Sequence, residues 1–405
     1  MYGLIIGASK ESIFAINVAK SMGMQVLAFD GNKDAEGLSV ADEAYVVDIR
    51  QPELIYEILD KKQITRENAV VIPVPIGRYL ISAGAVNEHY GLIGLSAHTA
   101  NLCTDKYAFH QLLNRYNLRN AVCELIPAKE QVKEPEHYPV IIKPRFGAGS
   151  RGVLQIGTKA EWETFAKEGP LSEDYIVETA VEGTEYGIDA VVIHGTFHLV
   201  LARRKVITPP PARQCVGYYA VPETEETKAL LQELREHMQQ IVDKMEMDNC
   251  VLHADLIFRE EKDEFFVIEL SARPSGHQLH NLFTPLATGI NMIEEYLHFV
   301  TSGECLFTKQ QNLQVKVQPY LIHYFDMEDC EIVRIPSEEE LRERYPIKKY
   351  VCNLTLGRVG KVMDGHSIMD RGYFILENRS EEELQQLSRM LVEEFFSKVR
   401  KKEEK

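Results

Sequence analysis

The sequence predicts a chain of mixed α/β and α+β class: an amino-terminal open parallel sheet, a glycine-loop lid, a central antiparallel sheet and a closing carboxyl-terminal segment. Three observations carry this. Short apolar strands alternate with helices over the first hundred residues, which is the pattern of a parallel sheet. A strand ending in lysine runs into a glycine-rich turn, YPVIIKPRFGAGSR at 138–151. A long hairpin, NCVLHADLIFREEKDEFFVIELSARP at 249–274, carries an acidic residue on each arm.

Size and charge narrow the function. A chain of 405 residues exceeds one ordinary core, and two or three domains are expected. The formal net charge of -16 argues against a general nucleic-acid binder, and no basic patch with interleaved aromatics occurs. Seven cysteines are scattered without a CxxC pair, so neither a zinc site nor a disulfide framework is indicated. No stretch reaches the length of a membrane span, and MYGLIIGASK is too short an apolar run for a signal peptide. Cytoplasm is the expected compartment. Oligomeric state stays open, with a homodimer among the options.

Along the chain, residues 3–7 read as a strand, SKESIFAINVAKSMG as a helix, and MQVLAFD as a second strand ending in Asp30. Asp30 stands where a dinucleotide fold places its ribose ligand, but GASKES lacks the later glycines of GxGxxG, which disfavours NAD. YVVDI, a helix over 52–61, AVVIPV, a helix over 78–89 and LIGLS near 92–96 extend the sheet to four or five strands. One helix is expected from Thr99 to Leu118, with Thr104 and Asp105 resembling a cap ahead of Lys106. This pass gives an open domain over the first hundred residues, 1–98; the further bounds, 99–305 for a core with its lid at 122–185 and 306–405 for a closing domain, are what the family resemblance named below implies.

The glycine loop has a physical use. Gly147, Gly149 and Gly152 let backbone amides approach a phosphate, Ser150 adds a hydroxyl, and Lys143 adds a point charge at the strand end. Downstream, Glu178 and Glu185 sit at the exit of one strand and the entry of the next. Arg203, Arg204, Lys205 and Arg213 flank three prolines, which suggests a stiff flap over an anion pocket. The apolar stripe Leu231, Leu234, Met238, Ile241 and Met245 reads as core.

If the hairpin turn centres on Lys262, Asp255 lies opposite Glu269, Ile257 opposite Val267 and Phe258 opposite Phe266. Ala254, Leu256, Phe258, Phe266, Ile268 and Leu270 then make a core face, while His253, Asp255, Glu269, Ser271 and Arg273 make a chemical one. Opposed carboxylates repel, and Mg2+ between them is the economical answer, with a bridging Arg273 as the alternative.

With these residues in view, the chain resembles the ATP-grasp superfamily of carboxylate to amine or thiol ligases and their carboxylase relatives. The resemblance implies an ATP-grasp fold, ATP, and Mg2+ or Mn2+. It implies that Lys106 and Lys143 contact phosphates, that FGAGSRG at 146–152 covers the triphosphate, and that Glu178 and Glu185 lie near adenine and ribose. It implies further that Asp255 and Glu269 hold the metal and that Arg273 serves the acyl phosphate. The family usually has Asn where this chain has Ser271, a shorter ligand, so the number of ions stays open. His277 and His280 are candidates to orient substrate or act as base, and Arg213 and Arg358 to contact it. The expected activity is an ATP-dependent ligation of a small carboxylic acid, an amino acid by preference, to an amine. The rivals are a bicarbonate- or formate-using enzyme acting on a purine precursor, and a nucleotide-binding regulator without turnover.

Overall fold

The computed structural model describes residues 1–119, 121–130, 133–147, 152–167, 169–208, 214–310, 313–327, 330–360, 368–378, 380–396 and 399–401. Four parallel strands, β1 (Tyr2–Ile6), β2 (Gln25–Asp30), β3 (Glu43–Val46) and β4 (Ala69–Val71), lie in the order β3-β2-β1-β4. Asp30 spends its carboxylate on its own chain, accepting from the Ala8 and Asn32 amides at 2.7 and 2.8 Å, so the ribose position is already filled. LIGLS forms no fifth strand. The segment instead wraps Asn87, whose amide donates to the Leu95 carbonyl at 2.9 Å. A Cβ on Gly94 would meet Asn87 and Tyr296 at 2.7 and 2.9 Å, so the backbone hugs these side chains where a strand would stand off.

The helix expected over 99–118 is two, Ala97–Thr104 and Lys106–Arg115. Asp105 breaks it because its side chain caps the second helix, accepting from the Tyr107 and Ala108 amides, both at 3.1 Å. The lid follows as an antiparallel sheet in the order β5-β8-β6-β7, from β5 (Cys123–Ile126), β6 (Val140–Pro144), β7 (Leu154–Ile156) and β8 (Tyr175–Thr179). Helix Lys159–Lys167 covers it, with Trp162 and Phe165 against Val140, Ile142 and Val177.

An eight-stranded antiparallel sheet makes the centre. Its first five strands in sequence are β9 (Thr184–Ile193), β10 (Thr196–Ile207), β11 (Cys215–Ala220), β12 (Cys250–Arg259) and β13 (Glu264–Ser271). With β14 (Tyr320–Tyr324), β16 (Ile347–Cys352) and β18 (Gly372–Glu377) the order is β13-β12-β9-β10-β11-β14-β18-β16. The sheet therefore runs unbroken past residue 305 into the carboxyl-terminal segment. A small sheet of β17 (Gly357–Val359), β15 (Cys330–Ile332) and β19 (Val399–Lys401) completes the fold, and its last strand takes up part of what reads as a solvated tail.

Two cores sandwich the central sheet. On one face helix Lys228–Lys244 buries Leu231, Leu234, Met238 and Ile241 against Ile188, Leu252 and Val267, as its stripe predicts. On the other, helix Met292–Ser302 lies between the sheet and the amino-terminal domain, so that Ile293 and Leu297 share a cluster with Val191, Val251, Ile5 and Val26.

The hairpin departs from the expected ladder by one bulge. Asp255 pairs with Glu269, but Leu256 pairs with Val267, Ile257 with Phe266 and Phe258 with Phe265. Ile268 is the extra residue, and beyond it Phe265 and Val267 turn to the core in place of Phe266 and Ile268. Val267 is fully buried while Ile268 is half-buried. Val267→Thr is therefore expected to cost about 1–3 kcal/mol in urea unfolding, because it buries a hydroxyl among apolar groups. Ile268→Thr should cost less, and the reverse order would restore the straight ladder.

Candidate functional site

The chemical face of β12 and β13 gathers charged side chains from the neighbouring strands. Register places Gly187 of β9 between Asp255 on one side and Arg203 of β10 on the other. A Cβ at 187 would come within 3.3 Å of Asp255 Oδ1, so glycine leaves the gap through which cations of β10 reach the carboxylates of β12. Lys205 Nζ stands 2.7 Å from Asp255 Oδ2 and 3.7 Å from Glu185 Oε2. Burial opposes the charge on Lys205, but Asp255 and Glu185 outweigh it and hold the ammonium above its usual range. Burial likewise works against the Asp255 carboxylate, and Lys205 holds it below the ordinary value.

Below them, Arg203 forks onto Asp189, and the hydroxyl of Thr284 donates to Asp189 Oδ2 at 2.6 Å. Arg203, Asp189 and Thr284 are fully buried. The basic segment 203–205 is thus no loose flap: Arg203 is a structural ion, Arg204 pairs with Glu381, and Lys205 belongs to the site. Sequence reading took the three as one flap, whereas the period of two along β10 sends Arg203 and Lys205 inward. Arg213 lies outside the described residues, as do Gly149 and Ser150 of the glycine loop.

The lid brings a second cluster. Lys143 at the end of β6 and Glu178 on β8 meet at 2.6 Å, and Arg119 and His110 close on the other Glu178 oxygen at 2.5 and 3.1 Å. All four side chains are buried. Burial opposes the Glu178 charge, yet Lys143, His110 and Arg119 hold its carboxyl well below the usual range. Burial drives His110 down to about 4. Arg119 and His110 also donate or point to the Val267 and Ile268 carbonyls on the outer edge of β13, at 3.3 and 3.0 Å, which stitches the lid to the central sheet. Neither His110, on the helix Lys106–Arg115, nor Arg119, just beyond it, is distinguishable in sequence from an ordinary polar group.

Lys106 bridges the clusters. Its ammonium donates to the Gly147 carbonyl at 2.6 Å. Burial lowers its pKa, with Glu269 raising it and Lys143 lowering it in turn, so the two lysines, the glycine turn and the β13 carboxylate share one field. Glu185 and Asp255 accordingly meet on Lys205, Glu269 pairs with Asp255, and Lys106 shares the field of Glu269 and Lys143, with Ser271 across the ladder from His253. Beyond β13, Arg273 Nη1 donates to the Pro274 carbonyl at 2.8 Å. His277 has φ +63°, donates its amide to Glu11 and accepts from the Tyr324 hydroxyl at 2.6 Å. His280 is buried with Nδ1 on the Ser275 carbonyl. Arg358 is exposed on the small sheet, on β17 across from Glu331.

The donor set fits a hard divalent cation. Asp255 and Glu269 face each other in register, and Asp255 Oδ1 is buried without a hydrogen-bond partner. A buried carboxylate oxygen left without a partner, in register with a second carboxylate, is costly unless a cation satisfies it. The grouping of His110, Cys123 and Glu178 is a poorer candidate, because Lys143 and Arg119 already neutralise Glu178 and burial pushes the Cys123 thiol up to about 12.

Residues 136–281 match the ATP-grasp domain family. Among curated proteins, the carbamoyl phosphate synthase large chain of Thermotoga maritima is 23% identical over 241 residues, 56% of this chain and 21% of that one. The chain thus spans about a fifth of the length of these relatives. The formate-dependent phosphoribosylglycinamide formyltransferase of Bacillus subtilis is 24% identical over 191 residues, 43% of this chain and 46% of that one. Among solved structures, an L-amino acid ligase from Bacillus licheniformis superposes with a TM-score of 0.77 at 18% identity, covering 98% of this chain and 97% of the other. An N5-carboxyaminoimidazole ribonucleotide synthetase from Thermotoga maritima gives 0.66 at 17%, covering 99% of each. Residues 136–281 thus match the ATP-grasp domain, and the chain as a whole shares the fold of these solved structures.

Proposed function

We propose that this protein is an ATP-dependent carbon–nitrogen ligase that joins a small carboxylic acid, an amino acid by preference, to an amine through an acyl phosphate. The observation that carries the reading is the gathering of Lys106, Lys143 and the glycine turn, with Lys106 also in the field of Glu269, which pairs in register with Asp255. Phosphoryl transfer needs little covalent chemistry from a protein and much positioning of charge, which such a gathering supplies.

In this reading Lys106, Lys143 and the amides around Gly147 hold the triphosphate, while Glu185 lies towards the ribose. Asp255 and Glu269 would hold the divalent ion, which supplies charge neutralisation between the β and γ phosphates when bound. The substrate carboxylate oxygen attacks the γ phosphorus, the bond to the β-phosphate oxygen breaks, and ADP leaves. Arg273 faces the resulting acyl phosphate. The amine nitrogen then attacks the acyl carbon, gives up its proton, and the carbon–oxygen bond to phosphate breaks. Lys205, held protonated between Asp255 and Glu185, supplies a fixed positive charge beside the reacting anions. The amino-acid preference is supported by the similarity in fold to an L-amino acid ligase and by the buried polar groups beyond β13.

A screen of ADP release over acids and amines, with mass detection of products, tests the reading. Turnover should require both an acid and an amine and yield their amide; dependence on bicarbonate or formate would point to the purine-precursor chemistry instead, and absence of turnover with tight ATP binding to a regulator. Glu269→Gln should lower turnover at least ~100-fold, the scale of a charge contact made in the transition state, with an unchanged melting curve. Near-normal activity would remove Glu269 from the site. Lys106→Met should lower kcat/KM for ATP by about 10²–10³ and leave thermal stability intact, since Lys106 is only half-buried and its bond is to a turn carbonyl.

A further inference from the structure

We propose that His253 is a third protein ligand of the divalent ion, which makes the donor set mixed nitrogen and oxygen and favours a transition ion such as Mn2+ over Mg2+. The inference rests on the reading of Asp255 and Glu269 as metal carboxylates. It starts from the two ring nitrogens. Nδ1 lies 3.1 Å from the Ile188 carbonyl and 3.7 Å from Asp189 Oδ1, and both neighbours are acceptors only. The ring proton therefore sits on Nδ1, which leaves the Nε2 lone pair directed at the other end of the ring. There the nearest ionic group is Asp255 Oδ1 at 3.8 Å, the same oxygen that is buried without a hydrogen-bond partner.

Two lone pairs thus face each other across a distance beyond hydrogen-bond reach. One cation about 2.1 Å from each spans that gap. A ligating histidine normally donates its other ring N–H to a carbonyl or carboxylate, which fixes its tautomer, and Ile188 and Asp189 do this here. Arg203 and Thr284 in turn fix Asp189, so the ring is backed by a buried network. The remaining groups facing the gap agree: His253 and Asp255 lie two residues apart on one face of β12, Ser271 and Glu269 oppose them on β13, and Lys205 occupies only the second oxygen of Asp255. Oxygen ligands alone suit Mg2+; an imidazole shifts preference to transition ions.

The full-length protein with Mn2+ and ADP provides the test. Electron spin-echo modulation of the bound Mn2+ should contain a directly coordinated nitrogen, and labelling histidine with 15N should change that coupling, which separates it from adenine and lysine nitrogens. His253→Gln should abolish the coupling and weaken Mn2+ binding by about 10- to 100-fold, with the melting curve unchanged. Bound Mn2+ without histidine coupling in the unsubstituted protein overturns the role of His253 while sparing the two carboxylates, provided Glu269→Gln still abolishes binding. A coupling that survives His253→Gln overturns it too, and failure of the unsubstituted protein to bind Mn2+ overturns both readings. If His253→Gln does not fold, the labelled unsubstituted protein decides alone.

Discussion

The antiparallel pairing of β12 with β13 sets two carboxylates face to face, and the surrounding charges answer that one constraint. Gly187 removes a side chain so that β10 can reach across β9. Lys205 neutralises one oxygen of Asp255 and draws Glu185 into the same field, while Arg203 takes Asp189 out of it by a bidentate pairing. The result is a group of carboxylates whose negative charge is only partly balanced from within the chain. One oxygen of Asp255 is left without a partner.

The lid side is organised around the opposite sign. Glu178 is the counter-ion for Lys143 and Arg119, and the three would be costly to bury separately. Their packing on the edge carbonyls of β13 gives the lid a fixed distance from the carboxylate pair. Arg145 adds a second tie, forking onto Asp105 at 2.6 and 2.9 Å and reaching Asp174 at 3.2 Å. Asp105 caps the helix that begins at Lys106, so the arginine that closes β6 also places the lysine that meets Gly147. Position of the lysine is thereby fixed by helix capping, a local interaction, and by an ion pair across the lid.

Sequence periodicity revealed the parallel sheet, the stripe of helix Lys228–Lys244 and the pairing of Asp255 with Glu269, because each rests on spacing along one segment. It misplaced Phe266 and Ile268, because a bulge adds a residue without any glycine or proline to mark it, and every side chain beyond changes face. It could not reveal Arg119, His110, Lys205 or Asp189 as partners, since their roles depend on strands and helices far apart in the chain. Basic residues 203–205 illustrate the limit: composition gives one positive patch, while the pleat of β10 divides it between core, site and the helix Glu381–Phe396.

The loop that follows β13 shows why a fold of this shape needs its terminal segments. His277 and Gln278 both adopt φ +63°, a left-handed pair that costs on the order of 1–3 kcal/mol per residue. Glu11, just after the first strand of the amino-terminal sheet, accepts from the His277 amide, and Tyr324 of β14 donates to its carbonyl. Gly276 permits the approach, since a Cβ there would lie 2.9 Å from Glu11 Oε2. The chain leaving Arg273 is therefore gripped from the first domain and from the last strands of the sheet at once. Removing either grip leaves the left-handed pair without its compensation, so the loop would relax to ordinary backbone angles and carry the surroundings of Arg273 with it. The geometry around that arginine is set by segments more than 300 residues apart in the chain, from Glu11 to Tyr324.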